Sequence, residues 1–208
     1  MRYSHYIEMD AIYIVGLIVL VLLVYQLYSK KKEQENFANY IAKLDGETYK
    51  VRRLPDAQDA AEQLAFIRQN LIKLNDHFRK NRADDERCAR FVKNFRADPE
   101  VFSENDKDSE FTSFTQNKGE QIRFCLRQRG DDESLVDNNT MMFVALHECG
   151  HVMSIGVGHN KEFWTNFRYI LEEAIQIGIY KYQDFKRNPV DYCGTRITDT
   201  PLQYSELE

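Results

Sequence analysis

The sequence predicts an α+β domain behind an N-terminal transmembrane helix, and three observations carry that expectation. Residues Ala11 to Tyr28 form an uncharged run rich in Leu, Val and Ile. Later segments repeat apolar residues every three and four positions, the period of an amphipathic helix. Among them, two runs rich in aromatic and β-branched residues flank Asn117-Lys118-Gly119, which reads as an antiparallel hairpin. The 208-residue chain is long enough for one compact domain with its own core. A net charge of -5 and a pI near 5.6 argue against a nucleic-acid footprint over the whole domain. A local basic patch stays open: Arg123, Arg127 and Arg129 would lie together if their strand presents them.

The apolar run is the length expected of a membrane anchor, for which about 18 to 20 residues suffice. Tyr13, Tyr25 and Tyr28 stand near its ends, where amphipathic rings favour the interface. A cleaved signal peptide fits less well, because Arg2 is opposed by Glu8 and Asp10 and no small-x-small site follows. Lys30, Lys31 and Lys32 then place the C-terminal domain in the cytosol, as a single-pass membrane protein. The expected divisions are a tail at 1–10, an anchor at 11–28, a juxtamembrane tether at 29–48 and a folded domain at 49–208. Cys88, Cys125, Cys149 and Cys193 are widely spaced, and free thiols in a reducing compartment are expected. Asn138-Asn139-Thr140 matches a glycosylation sequon that matters only if the topology is inverted.

Along the chain, residues 33–45 are polar and 49–53 suit a short strand. Leu54-Pro55-Asp56 signals a helix start with Asp56 as N-cap. Ala57, Ala60, Leu64, Ile67, Leu71, Leu74 and Phe78 mark the buried stripe of that helix. A second helix is expected over 85–95, with Cys88, Phe91, Val92 and Phe95 inward and Asp98-Pro99 ending it. Residues 103–109 are acidic and polar, hence a loop. In the hairpin, Ile122, Phe124 and Leu126 face one way, and Arg123, Cys125 and Arg127 the other. Asp137 to Asn139 offers the N-cap of a mostly apolar helix, and Gly156 and Gly158 end it. Another amphipathic helix follows to about Ile179.

The apolar helix carries His147-Glu148-Cys149-Gly150-His151. Histidines at i and i+4 project from one face and can bind one Zn²⁺, and Glu148 can reach a water on that metal as general base. Seven residues separate His151 from His159, the candidate third ligand. Three protein ligands leave a fourth position for water, as in a catalytic site. Glu172 and Glu173 are the rival ligands. Helical geometry turns Glu172 away from the apolar face and Glu173 to its flank, so both are expected to be solvated. Cys149 lies about 100° around the helix from Glu148, and packing is its expected role. His5 and His77 have no partner pattern. Tyr180, Tyr182 and Tyr192 are all conceivable stabilisers of a developing oxyanion. Substrate, a protein or peptide, is expected to add a strand along an exposed edge near Glu120 to Arg127.

His-Glu-Cys-Gly-His followed by His159-x-x-x-Phe163-Trp164 resembles the WLM and SprT-type minigluzincin zinc metallopeptidases. The strand from Ile122 to Arg127 resembles the one that precedes their zinc helix. The resemblance implies a zincin-like small metallopeptidase domain with a small antiparallel sheet. It implies His147, His151 and His159 as Zn²⁺ ligands and Glu148 as catalytic base. The loop before His159 is longer here than WLM domains usually have. The whole chain is similar to WLM-like proteins of large nucleocytoplasmic DNA viruses. Peptidases of this type are associated with repair of DNA–protein crosslinks, but nothing in the charge of this chain indicates nucleic acid. A non-enzymatic structural or virion protein that retains the zinc fold is the alternative.

Overall fold

A computed structural model of the chain describes residues 2–130 and 132–202, leaving out the side chains of 2–12, 30 and 32–34. The described chain divides into two compact units, Met1–Ala38 and Asn39–Glu208. The first consists almost entirely of helix α1 (Arg2–Asn36). The expected transmembrane helix is overturned: among the described residues, no helix is long and apolar enough to cross a membrane. The apolar part of the helix whose side chains are described runs from Tyr13 to Tyr28, about 24 Å at ~1.5 Å per residue. A bilayer core is about 30 Å thick. The topology and localisation drawn from that span lose their support with it. His5 and the side chains of Lys30 and Lys32 lie outside the described residues.

Five strands form one sheet, β1 (Phe37–Ile41), β2 (Thr48–Arg52), β3 (Phe102–Glu104), β4 (Phe114–Gln116) and β5 (Gln121–Phe124), in the order β1-β2-β3-β5-β4. The sheet is mixed, not purely antiparallel as expected. β3 runs parallel to both β2 and β5, while β4 pairs antiparallel with β5. Two of its strands arise from segments that read as polar linker. β1 falls in the tether, and β3 falls where a loop was expected because Ser103 and Glu104 mask Phe102. Glu104 is nonetheless buried, since Arg127 neutralises it.

That pair organises one end of the sheet. Arg127 Nε donates to Glu104 Oε1 at 2.8 Å, its other guanidinium arm binds Asp56, and the Arg52 backbone N–H donates to Glu104 Oε2 at 2.7 Å. Asp56 does precede helix α2 (Ala57–Asn81), but its side chain makes no capping bond. The carboxylate serves Arg127 instead. The expected stripe of α2 is buried in full, and alanines at 57, 60, 61 and 65 let the helix lie close to the sheet.

Helix α3 (Glu86–Asn94) is capped by Asp85, whose carboxylate accepts from the N–H groups of Arg87 and Cys88. Helix α4 (Asn138–Met153) is capped by Asp137, which accepts from Asn139 and Thr140. Helix α5 (Lys161–Gln176) starts at Asn160, which accepts from Phe163 N–H. α4 packs against α2, α3 and α5. A two-stranded hairpin, β6 (Val190–Tyr192) with β7 (Thr195–Ile197), completes the fold. The free-thiol expectation is corrected for two of the four cysteines. Cys125 and Cys193 form a disulfide with Cα atoms 6.1 Å apart, while Cys88 and Cys149 are free and buried. The sheet order creates that pairing by bringing the end of β5 beside the β6–β7 turn, across 68 residues of sequence.

Candidate metal centre

Helix α4 is apolar on nearly every side and sits in the core, which carries His147 and Glu148 into a water-poor setting. Its close partner is α5. A Cβ on Gly150 would stand 2.9 Å from a ring carbon of Phe163 and 3.4 Å from Phe167 Cβ, so glycine is what lets the two helices approach. Phe163 in turn forms the floor under the histidines. Its ring centroid lies 4.8, 4.4 and 4.7 Å from those of His147, His151 and His159.

The connection from α4 to α5 decides where His159 points, and charged side chains hold it. Glu162 accepts from Ile155 N–H at 2.8 Å and Gly156 N–H at 3.0 Å. Lys118, from the β4–β5 turn, donates to the carbonyl of Ser154 at 2.9 Å. Arg90 donates to the carbonyl of Met153 at 2.8 Å, closing the C-terminal end of α4. Gly158, at φ 77°, turns the chain back toward α4.

The result is one cluster. The ligand nitrogens of His147, His151 and His159 all lie within 4.8 Å of one another, and Nε2 of His147 is 2.9 Å from Nε2 of His159. Burial, reinforced by the other two histidines, lowers the His147 pKa to about 3. Burial likewise lowers His151 to about 4, with smaller contributions from His159 and Lys118. Neutral imidazoles with free lone pairs are the form a metal requires. Glu148 is 3% exposed, and burial pushes its pKa up to about 7, against the opposing pull of Thr115. The Thr115 hydroxyl donates to Glu148 Oε2 at 2.7 Å. A carboxylate poised near neutrality is suited to general-base work.

A cleft of about 870 Å³ opens over this group, lined by the three histidines, Glu148, the segment Glu110–Thr115, Lys118, Phe143, Val157, Tyr192 and Ile197. The structure thus brings together all four sequence-predicted site residues. Several other expectations are corrected. The exposed edge beside the site is β4, because β5 lies inside the sheet between β3 and β4. Glu173 is buried, not solvated: it accepts from His77 Nε2 and, at 3.0 Å, from Arg82 Nε. His77 is therefore a structural partner. Glu172 pairs with Arg168 at 2.9 Å. No patch forms from Arg123, Arg127 and Arg129, since Arg127 is 2% exposed in its ion pairs and Arg129 donates to the carbonyls of Ser109 and Phe111. Cys149 is buried outside the histidine cluster, where burial pushes its thiol pKa up. Of the three tyrosines, Tyr192 lines the cleft and Tyr180 packs on Phe143 in the core.

Sequence reasoning missed Thr115, Lys118 and Glu162. Thr115 lay within a segment read only as strand. Lys118 stood in a turn, where Asn117 (φ 47°) and Lys118 (φ 57°) both adopt left-handed backbone, and that geometry aims the Lys118 side chain at α4.

Residues 100–206 of the 208 match the WLM domain family. Over 198 residues the chain is 29% identical to uncharacterized protein R325 of Acanthamoeba polyphaga mimivirus, spanning 94% of this chain and 100% of that protein. Over 83 residues it is 36% identical to uncharacterized protein 136R of Invertebrate iridescent virus 6, spanning 39% of this chain and 44% of that one. The crystal structure of Wss1 from Saccharomyces cerevisiae is similar at a TM-score of 0.45 and 19% identity, over 61% of this chain and 86% of that one. The chain belongs to the WLM domain family, a metallopeptidase-type domain, and is similar to proteins of large DNA viruses.

Proposed function

We propose that this chain is a zinc-dependent peptidase whose general base is Glu148. The observation that carries the reading is the convergence of three imidazoles, two half-buried and one exposed, with ligand nitrogens within 4.8 Å of one another, on the same cleft as a buried carboxylate. The donor set suits zinc, for which His147, His151 and His159 would supply three nitrogens and leave a fourth position to the cleft. Zinc, when bound there, supplies Lewis acidity, lowering the pKa of a water and polarising a carbonyl.

The chain's own groups do the rest. Glu148 takes a proton from the attacking water and delivers it to the leaving amine as the C–N bond breaks. Thr115 holds that carboxylate in place through its hydroxyl. Edge strand β4 offers unpaired backbone groups to an extended polypeptide, fixing the scissile bond over His147 and Glu148.

The test is purification of the chain with zinc, elemental analysis, and hydrolysis of an unfolded protein such as casein. One zinc per chain and activity abolished by Glu148→Gln are expected. Zinc near zero, or equal hydrolysis by the variant, would overturn the reading.

A further inference from the structure

The β6–β7 hairpin is fastened unusually tightly for a short, peripheral element. Its turn residues Cys193 (φ 50°) and Gly194 (φ 74°) both adopt left-handed backbone, the geometry of a two-residue hairpin turn. The disulfide ties Cys193 to Cys125, the residue just after β5. Gln128 adds two bonds: its Oε1 accepts from Cys193 N–H at 3.1 Å, and its Nε2 donates to the Asp191 carbonyl at 2.7 Å. Between these two anchored positions stands Tyr192.

Tyr192 is 4% exposed, yet it lines the same cleft as His147 and Glu148. Its hydroxyl shares a hydrogen bond of 2.6 Å with Ser113 Oγ, and Ser113 Oγ accepts from the Cys125 backbone N–H at 3.1 Å. Both partners of the disulfide therefore bear on one hydroxyl: Cys193 through the chain to Tyr192, and Cys125 through Ser113. Two other donors of the cleft serve groups of the site itself or of its helix. Thr115 is bonded to Glu148, and Lys118 to the end of α4.

We propose that Tyr192 donates a hydrogen bond to the scissile carbonyl oxygen as negative charge builds on it, and that the Cys125–Cys193 bridge is what positions Tyr192 to do so. The proposal rests on the peptidase reading. No proton is transferred by Tyr192. Its O–H turns from Ser113 to the substrate oxygen, and Ser113 keeps the Cys125 N–H as a partner. Burial supports this role, because it raises the Tyr192 pKa and keeps the donor proton in place.

The test compares the zinc-loaded chain with Tyr192→Phe and with the double variant C125S/C193S. Three quantities are read: kcat and KM on casein-derived peptides, zinc per chain, and affinity for a peptide phosphonamidate that mimics the tetrahedral anion. For Tyr192→Phe, kcat falls about 100- to 1,000-fold with little change in KM, as for loss of one oxyanion donor. Phosphonamidate affinity falls at least roughly tenfold by the same argument, and zinc is retained. A structural hydroxyl would move neither kcat nor phosphonamidate affinity. The double variant shifts both quantities the same way while its near-ultraviolet circular dichroism stays native. A phosphine reductant, which reduces the bridge without supplying thiolate ligands to zinc, lowers kcat of the wild type and leaves the double variant unaffected. Wild-type kcat and affinity in Tyr192→Phe would overturn the role of Tyr192 and leave the peptidase reading intact. A wild-type double variant beside an impaired Tyr192→Phe would overturn the role of the bridge. A wild-type chain that neither cleaves peptide nor binds the phosphonamidate removes the peptidase reading, and this proposal with it.

Discussion

The two walls of the cleft are built by different physics. The helical wall, α4, α5 and the connection between them, carries the histidines and is held by buried apolar surface: Phe163 and Phe167 pack under His147, and Gly150 lets the helices meet. The strand wall, β4 and the β6–β7 hairpin, consists of three-residue strands with little core of their own. Side-chain hydrogen bonds and one covalent bridge hold it: Thr115 to Glu148, Ser113 to Tyr192, Cys125 to Cys193. On the proposed reading, the difference makes metal affinity and substrate geometry separately tunable. One wall is fixed by the core of the domain. The other is fixed by a few local ties that can be cut without touching the histidines.

The largest effect should come from the chemistry on the helical wall. Glu148→Gln should lower kcat on casein by about 1,000-fold or more, within the range of general-base removal, while zinc content holds. Cutting the strand wall should come next. C125S/C193S should lose about 2–4 kcal/mol of stability in urea titration, because the bridge closes a long loop in the unfolded chain. The histidines should still bind zinc in that variant. If zinc binding is lost as well, the walls are not independent. Gly150→Ala tests the helical wall in the reverse sense. Its new Cβ must displace Phe163, at about 1–3 kcal/mol, so the melting temperature and zinc affinity should fall together. Smallest of all, Asp137→Ala removes the cap of α4 at a cost of about 1 kcal/mol, seen as a modest drop in melting temperature with kcat unchanged.

The sequence disclosed the helical wall far better than the strand wall, and for a physical reason. His147, Glu148 and His151 are neighbours on one helix, so their relation is fixed by the helical repeat. Asn160 after His159 marks the start of α5, and the buried stripe of α2 follows from its three-and-four spacing. The β4–β5 hairpin was also legible, since its turn lies between its own strands. Relations set by topology were hidden. Nothing local shows that Cys125 meets Cys193, that β5 lies inside the sheet, or that Glu104 becomes a strand residue through Arg127. Glu173 looked solvated because its own helix places it at a flank, but His77 and Arg82 of another segment cover it. The N-terminal run misled in a different way. An uncharged apolar run of anchor length, with tyrosines near its ends, suggested a span, but no helix among the described residues is long and apolar enough to cross a membrane.

X-ray absorption at the zinc edge of the loaded chain tests the central claim most directly. Three imidazole nitrogens and one oxygen at about 2.0–2.1 Å are expected, with the imidazole signal dropping to two in His159→Ala. A sulfur shell near ~2.3 Å, or an unchanged spectrum in His159→Ala, would contradict the site described for His147, His151 and His159.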